Sequence, residues 1–70
     1  MVTVNRVGKI RRGGYVFVAW IGDHTPRHVH VYRDEKLVLK WNLDAQQPMT
    51  GKPNARLLRL IAQLEEEGSL

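Results

Sequence analysis

The three histidines of this chain lie within seven positions of one another, at His24, His28 and His30. Imidazole is the side chain that gains and loses a proton near neutral pH, and its nitrogens are common zinc ligands. A segment that collects every histidine of the chain is therefore the candidate site for acid–base chemistry or metal binding. Its chemistry depends on the elements that hold the three rings.

Pro26 lies between His24 and His28 and predicts an extended backbone for this segment. The proline ring fixes its own φ and pushes Thr25 away from helical geometry, so the chain is expected to leave a turn and continue directly as a strand. Side chains alternate between the two faces of a strand. One face is therefore predicted to carry His28, His30 and Tyr32, and the other Val29 and Val31.

Zinc is the metal that such a cluster favours. Imidazole nitrogens bind zinc at about 2.0 to 2.1 Å, and two histidines separated by one residue on a strand stand close enough to share an ion. His24 is expected to supply a third ligand across the proline turn, with Asp23 as a fourth. Paired histidines are, however, frequent on strands without metal, and the set lacks a nearby glutamate to act as general base. The chain is therefore expected to hold no cofactor, with a zinc site at His24, His28 and His30 as the alternative.

Three interpretations do without a metal. In the first, the rings of His28, His30 and Tyr32 form a surface on which nucleic-acid bases stack, worth roughly 1 to 3 kcal/mol per base. In the second, His24, His28 and His30 are the catalytic candidates of a metal-free nuclease, acting as acid and base. In the third, His24 bonds to the turn while His28 and His30 line a protein interface. The cations expected to join a nucleic-acid or partner surface are Arg11, Arg12, Arg27 and Arg33.

The histidine segment also carries a family resemblance. It resembles the His-x-Pro-Pro-His-x-His-Val signature of a family of small bacterial proteins, domain-of-unknown-function family 4160. The start of the chain at residues 2–6, the apolar stretch over residues 15–21 leading into residues 23–24 and the closing amphipathic helix are similar to the layout of that family. Arg27 stands where the family has a second proline and Val29 where it has an aromatic residue, and both departures leave the histidine spacing intact. Members are often encoded beside another small protein in pairs that look like toxin–antitoxin modules, so the resemblance implies a partner protein and no defined activity.

Length and composition predict one small domain over residues 1–70. A chain of this length buries only about 60% of its unfolded surface, so its core needs a further source of stability. Cysteine is absent, which excludes disulfides and leaves a metal, a partner chain or self-association. With no signal-like apolar start and no apolar run long enough to span a membrane, the chain is expected to be cytoplasmic and to have no membrane partner.

The net charge of +4 hides an asymmetry along the chain. Three of the seven acids form the run Glu65-Glu66-Glu67, so the preceding residues combine all eleven bases with four acids. A basic body favours an anionic partner, either nucleic acid or an acidic protein surface. The alternative is a net charge that serves solubility alone.

Turn-forming glycine and polar residues between apolar stretches predict two hairpins. Residues 2–10 are rich in β-branched side chains and predict a short or bulged first strand. Gly13-Gly14 follows, and both glycines can adopt the positive φ of a tight turn, with a phosphate-gripping loop beside two arginines as the alternative. Residues 33–36 are all polar and suit a second turn. In the strand that follows, alternation predicts one face with Leu37, Leu39, Trp41 and Leu43 and the other with Val38, Lys40 and Asn42.

The end of the chain predicts a loop and then a helix. Residues 44–51 contain Pro48 and two glutamines without periodicity, which predicts a loop. Pro53 or Asn54 is expected to start the helix and Gly68 to end it. The helical spacing of apolar residues predicts one buried face, formed by Leu57, Leu60, Ile61 and Leu64.

The predicted fold class is therefore α+β, an antiparallel sheet of three to four strands with one C-terminal helix packed on one face. Residues 15–21 are apolar on both faces, and one helix covers only one of them. The other face must meet the N-terminal segment, a folded-over loop or a second subunit, and the subunit is the favoured cover, as a homodimer through the second face of this strand. Trp20 and Trp41 are expected to anchor the core or such an interface.

These features predict a small binding module, one component of a toxin–antitoxin-like pair, that binds nucleic acid or a partner protein through a basic face. The alternative is a histidine-centred nuclease, either metal-dependent or metal-free. The pairing comes from the resemblance, whereas the basic face comes from the residues themselves.

Overall fold

The computed structural model of the protein describes residues 6–21 and 27–70. The strands it describes form one antiparallel sheet in chain order, each paired with the next. The α+β class and the single C-terminal helix are confirmed, but the sheet has five strands instead of three to four. The elements are β1 (Arg6–Arg12), β2 (Tyr15–Ile21), β3 (His28–Arg33), β4 (Lys36–Asn42), β5 (Gln47–Gly51) and α1 (Ala55–Glu66).

Both predicted hairpin turns are confirmed. Gly13 and Gly14 join β1 to β2 with φ of 62° and 86°, as a two-residue turn of this hand requires. Asp34 and Glu35 join β3 to β4 with φ of 51° and 66°. The second turn therefore holds two residues with side chains in left-handed geometry, which costs roughly 1 to 2 kcal/mol for a residue other than glycine.

The fifth strand lies where a loop was predicted, and that prediction was wrong. Every residue of β5 is exposed, so no alternation of apolar and polar side chains marks it in the sequence. Proline is tolerated on an edge strand, because an edge does not need every N–H for pairing. Pro48 pairs with Trp41, beside a shift of register in the β4–β5 ladder.

The helix packs on one face of the sheet. Asn54 caps it by accepting a hydrogen bond from the Leu57 backbone N–H at 2.7 Å, and the chain turns away at Gly68, whose φ is 81°. No helix of the described residues is long and apolar enough to cross a membrane. The side of the sheet on which the helix packs is called here the core face. The core between this face and the helix consists of Tyr15, Phe17, Ala19, Val29, Val31, Leu39, Trp41, Leu43, Leu57, Ile61 and Leu64.

Two predictions about side-chain direction meet different outcomes. Trp41 is buried in the core, as expected, whereas the Trp20 side chain lies outside the described part of the chain. Leu37 was expected to share a face with Leu39, and this was wrong. A bulge pairs Tyr32 with Leu37 and the preceding Val31 with Leu39, so Val38 is the extra residue. Leu37 is consequently 45% exposed, while Val38 packs against the core.

The opposite side of the sheet, called here the open face, carries a different set of residues. Because α1 packs on the core face and every described strand belongs to the sheet, no element among residues 6–21 and 27–70 covers it. Val16 and Val18 lie there, half-buried, beside side chains of charge and ring character. The open face comprises Lys9, Arg11, Val16, Val18, His28, His30, Tyr32, Leu37, Lys40 and Asn42.

Candidate functional site on the open face

Strand pairing aligns the open-face side chains in two rows across the sheet. In one row, Lys9 pairs with Val18, Val18 with His30, and His30 with Lys40. With strands about 4.8 Å apart, the two lysines of this row lie roughly 14 Å from each other. In the second row, Val16 lies between its partners Arg11 and Tyr32. Cations therefore lie on both sides of the apolar and aromatic centre.

The rings of β3 form a strip along the strand, as the alternation predicted. The centroids of His28 and His30 are 5.2 Å apart, and those of His30 and Tyr32 are 6.4 Å apart with an edge-on arrangement. All three side chains are half-buried, so their rings border solvent. The strip thus offers ring surface to a ligand that lies on the sheet.

The predicted zinc site falls only partly within the described chain. His24 and Asp23 lie outside the described residues, while His28 and His30 stand side by side on β3. Within residues 6–21 and 27–70, no group of three histidine, cysteine or acidic side chains is arranged to hold a metal ion. A zinc site built with His24 stays a prediction.

His30 differs from an ordinary surface histidine in its protonation. Partial burial is the main cause that lowers the pKa of His30 below 6.5, and the positive charges of His28 and Lys40 lower it further. His30 is therefore neutral at physiological pH. An anion that settled beside Lys40 and His28 would offset their repulsion and favour the protonated ring.

Arg27 was predicted to be a ligand-binding cation, and the structure pairs it with an acid. Its backbone N–H and its side-chain Nε both donate to the Asp44 carboxylate, at 3.0 Å each. These two hydrogen bonds hold the pKa of Asp44 below its usual value. Leu43 N–H also donates to the Arg27 carbonyl at 2.8 Å. The arrangement ties the start of β3 to the end of β4, so Arg27 helps to position the ring strip.

Two more of the predicted cations lie on the core-face side. Arg12 pairs with Tyr15 across the β1–β2 ladder and forms an ion pair with Glu67 just beyond the helix. The hydrogen bond from Arg12 keeps the pKa of Glu67 below its usual value. Arg33 stands 5.6 Å above the ring of Tyr15. Of the four predicted arginines, Arg11 alone belongs to the open face.

Sequence patterns did not single out two further cations of the open face, Lys9 and Lys40. Lys9 is two residues before Arg11 on β1, so the alternation that places Arg11 also places Lys9. Lys40 pairs with His30 in the β3–β4 ladder. The signal for both was present, but the hairpin register was needed to see that they meet the rings.

A groove of about 420 Å³ lies at the end of the open face near the two hairpin turns. Two valines form its apolar lining, and two cations, a phenol and a carboxylate give it polar groups. Glu35 reaches this groove from the β3–β4 turn. The lining residues are Lys9, Arg11, Val16, Val18, Tyr32 and Glu35.

Comparison of the chain with models of known families, with curated proteins and with solved structures finds no match. The resemblance of the histidine segment to domain-of-unknown-function family 4160 therefore stays a prediction. The open face itself, with its cations, rings and groove, is the basis for inferring a function.

Proposed function

We propose that this protein is a small cytoplasmic module that binds single-stranded nucleic acid across the open face of its sheet. One observation carries the proposal: Lys9, Arg11 and Lys40 surround the ring strip, and none of them has an acidic partner within ion-pair distance among the described residues. A cation without an acidic partner can neutralise a phosphate without first breaking an ion pair.

The spacing of charge and rings suits an unpaired strand. Phosphates that contact the lysines and the arginine release condensed counterions, which supplies sequence-independent affinity. Bases that are not paired can then lie on the rings of His28, His30 and Tyr32, and Tyr and His rings are established stacking surfaces for such bases. A duplex keeps its bases stacked inside the helix and gains little from exposed rings. Unpaired RNA or DNA is therefore the favoured ligand.

Other occupants of the open face fit its charge less well. In a symmetric dimer through this face, the basic surface of one copy would face the basic surface of the other, and like charges at short range repel. An acidic protein surface satisfies the cations but leaves the ring strip without its preferred partner. The toxin–antitoxin-like partner implied by the resemblance remains the alternative that the experiment below distinguishes.

Two neighbouring arginines provide a matched test. Arg11 lies on the open face, whereas Arg12 lies on the other side and is paired with Glu67. Arg11→Ala should weaken binding of a fluorescently labelled single-stranded RNA or DNA and should reduce the slope of log affinity against log salt by about 0.7, the contribution of one phosphate contact on a single strand. Arg12→Ala should leave that slope unchanged.

Fluorescence anisotropy over a salt series measures the slope, and circular dichroism confirms that both variants are folded. Equal losses for the two variants would mean that binding does not occur on the open face. Absence of binding to either nucleic acid at low salt would overturn the proposal and favour the protein partner.

A second candidate function is a histidine-centred nuclease, favoured by the adjacent rings of His28 and His30. A neutral His30 at physiological pH suits a general base, and the centroid of the His28 ring lies 5.2 Å away, which makes the two rings the candidate pair for acid–base cleavage of RNA. Degradation of a labelled RNA by the purified protein, abolished by His30→Gln, would support this activity. Sensitivity to a chelator would assign it to a metal, and an intact RNA would exclude it.

A further inference from the structure

Glu35 is the acid of an otherwise basic groove. It lies in the turn between β3 and β4 and lines the groove together with Lys9, Arg11 and Tyr32. Its carboxylate has no cation within ion-pair distance among the described residues, although two cations line the same groove. The carboxylate is therefore available to accept hydrogen bonds from a ligand.

The backbone conformation of Glu35 also costs conformational free energy. Its φ of 66° belongs to the left-handed region, at a turn position where glycine is the preferred residue. Glycine would relieve this strain, but Asp34 carries the same strain in the same turn, so what distinguishes Glu35 is that it lines the groove. A glycine at this position would, however, remove the carboxylate from the groove.

We propose that this groove recognises a guanine base of the bound strand. The carboxylate of Glu35 accepts from the N1–H and N2 amino group of guanine, which are adjacent donors that match two carboxylate oxygens. At a guanine, Arg11 exchanges its phosphate contact for O6 and N7 of the base, which is the commonest base-specific contact of arginine, so the salt dependence of Arg11→Ala is measured on strands without guanine. Val16, Val18 and Tyr32 cover the flat surface of the base, while Lys9 is left for a phosphate. The inference rests on the proposed function and adds a base preference to it.

The other bases present the wrong pattern to the same groups. Adenine has an acceptor at N1, which repels a carboxylate, and an amino group in place of O6, which repels a guanidinium. Cytosine and uracil lack N7 and are too small to reach both Arg11 and Glu35 with one ring. Guanine is therefore the base whose donors and acceptors match both Glu35 and Arg11.

The test compares short uridine strands that differ at one central nucleotide. A strand with guanosine should bind about tenfold more tightly than a strand with adenosine, the discrimination expected for one good bidentate contact. Inosine, which lacks the N2 amino group, should bind with intermediate affinity. Glu35→Gln should reduce the guanosine-to-adenosine ratio to near one, and the ratio is the measured quantity because removing an acid strengthens binding of every strand.

Asp34→Asn is the matched control, because Asp34 is an acid in the same turn with the same left-handed backbone but does not line the groove. It should leave the ratio unchanged. Glu35→Gly is a second variant that removes the carboxylate while relieving the backbone, so it is expected to fold and to lose the ratio.

The two proposals fail in different ways. If uridine strands bind with no preference for guanosine, or if Glu35→Gln keeps the preference, the guanine inference is wrong and the open-face proposal stands. If no strand binds, the open-face proposal is overturned, and free GMP and AMP then test the groove by itself through chemical-shift changes of Glu35 and Tyr32. A GMP preference there would support guanine recognition as a free-nucleotide site, and equal or absent shifts would overturn the guanine inference as well.

Discussion

The two faces of the sheet differ in whether their cations are paired with other side chains. On the core-face side, Arg12 is paired with Glu67 and Arg33 lies over the Tyr15 ring, so these cations contribute to holding the sheet and helix together. On the open face, Lys9 and Arg11 have no acid within ion-pair distance among the described residues. The same strand, β1, contributes alternate side chains to both. Position along the strand, and not residue type, therefore separates structural arginines from candidate binding arginines.

The largest expected effect is a loss of stability, and it tests whether the helix packs on the core face. Ile61 is 2% exposed, and Ile61→Asp places a carboxylate in the core without a partner. Such a change costs about 4 kcal/mol or more, which approaches the whole stability of a small domain. Gln63→Asp introduces the same side chain at an exposed position of the same helix and should alter the melting temperature little. Circular dichroism melts compare the two, and a wild-type melt for Ile61→Asp would contradict the helix placement.

A smaller effect distinguishes the faces within one strand. Leu39 is fully buried, so Leu39→Ala should lose about 2 to 5 kcal/mol through lost burial and the cavity left behind. Leu37→Ala should cost less than about 1 kcal/mol, because the bulge turns Leu37 to the open side. Urea titration gives both values. Similar losses for the two variants would restore the face assignment that simple alternation suggested.

The features that the sequence predicted correctly depend on local backbone chemistry or on the alternation of side chains within one strand. The turns at Gly13-Gly14 and Asp34-Glu35, the helix cap at Asn54 and the stop at Gly68 were predicted because each depends on local backbone chemistry. The alternation of His28, His30 and Tyr32 followed from Pro26 and a regular strand. Local rules therefore recovered four of the described strands, the helix and the ring strip.

What was missed depends on pairing between strands. The bulge that separates Leu37 from Leu39 is a mismatch between two strands and leaves no mark on either alone. The β5 strand buries no side chain and so has no apolar periodicity. Lys40 joins the site only through its pairing with His30, which requires the register of β3 and β4. The groups that complete the candidate site come from chain positions that periodicity treats as ordinary surface.

The smallest expected effect is the pH dependence of the free energy of unfolding. The two faces should contribute to it in different pH ranges. Glu67, on the core-face side, has a lowered pKa in the folded state, so its contribution is present above its unfolded value of 4.5 and is lost only as pH falls through the lower folded pKa. His30, on the open face, also has a lowered pKa, but it is a base with an unfolded value of 6.5. Below that value the unfolded chain binds the proton more readily, so the free energy of unfolding falls as pH decreases.

Urea titrations between about pH 7.5 and about pH 5.5 cover the range in which histidines ordinarily titrate while the acids remain charged, and comparison with a His30 variant identifies the contribution of His30. His30→Gln cannot take up the proton and should reduce the decline in the free energy of unfolding.

The affinity for single-stranded nucleic acid should change with pH in the opposite direction. Phosphates beside Lys40 and His28 offset the repulsion that disfavours the protonated ring, so affinity should rise as pH falls, and less so in His30→Gln. A wild-type affinity that is independent of pH over this range would place the phosphates away from His30, and would confine the bound strand to the Lys9 and Arg11 side of the open face.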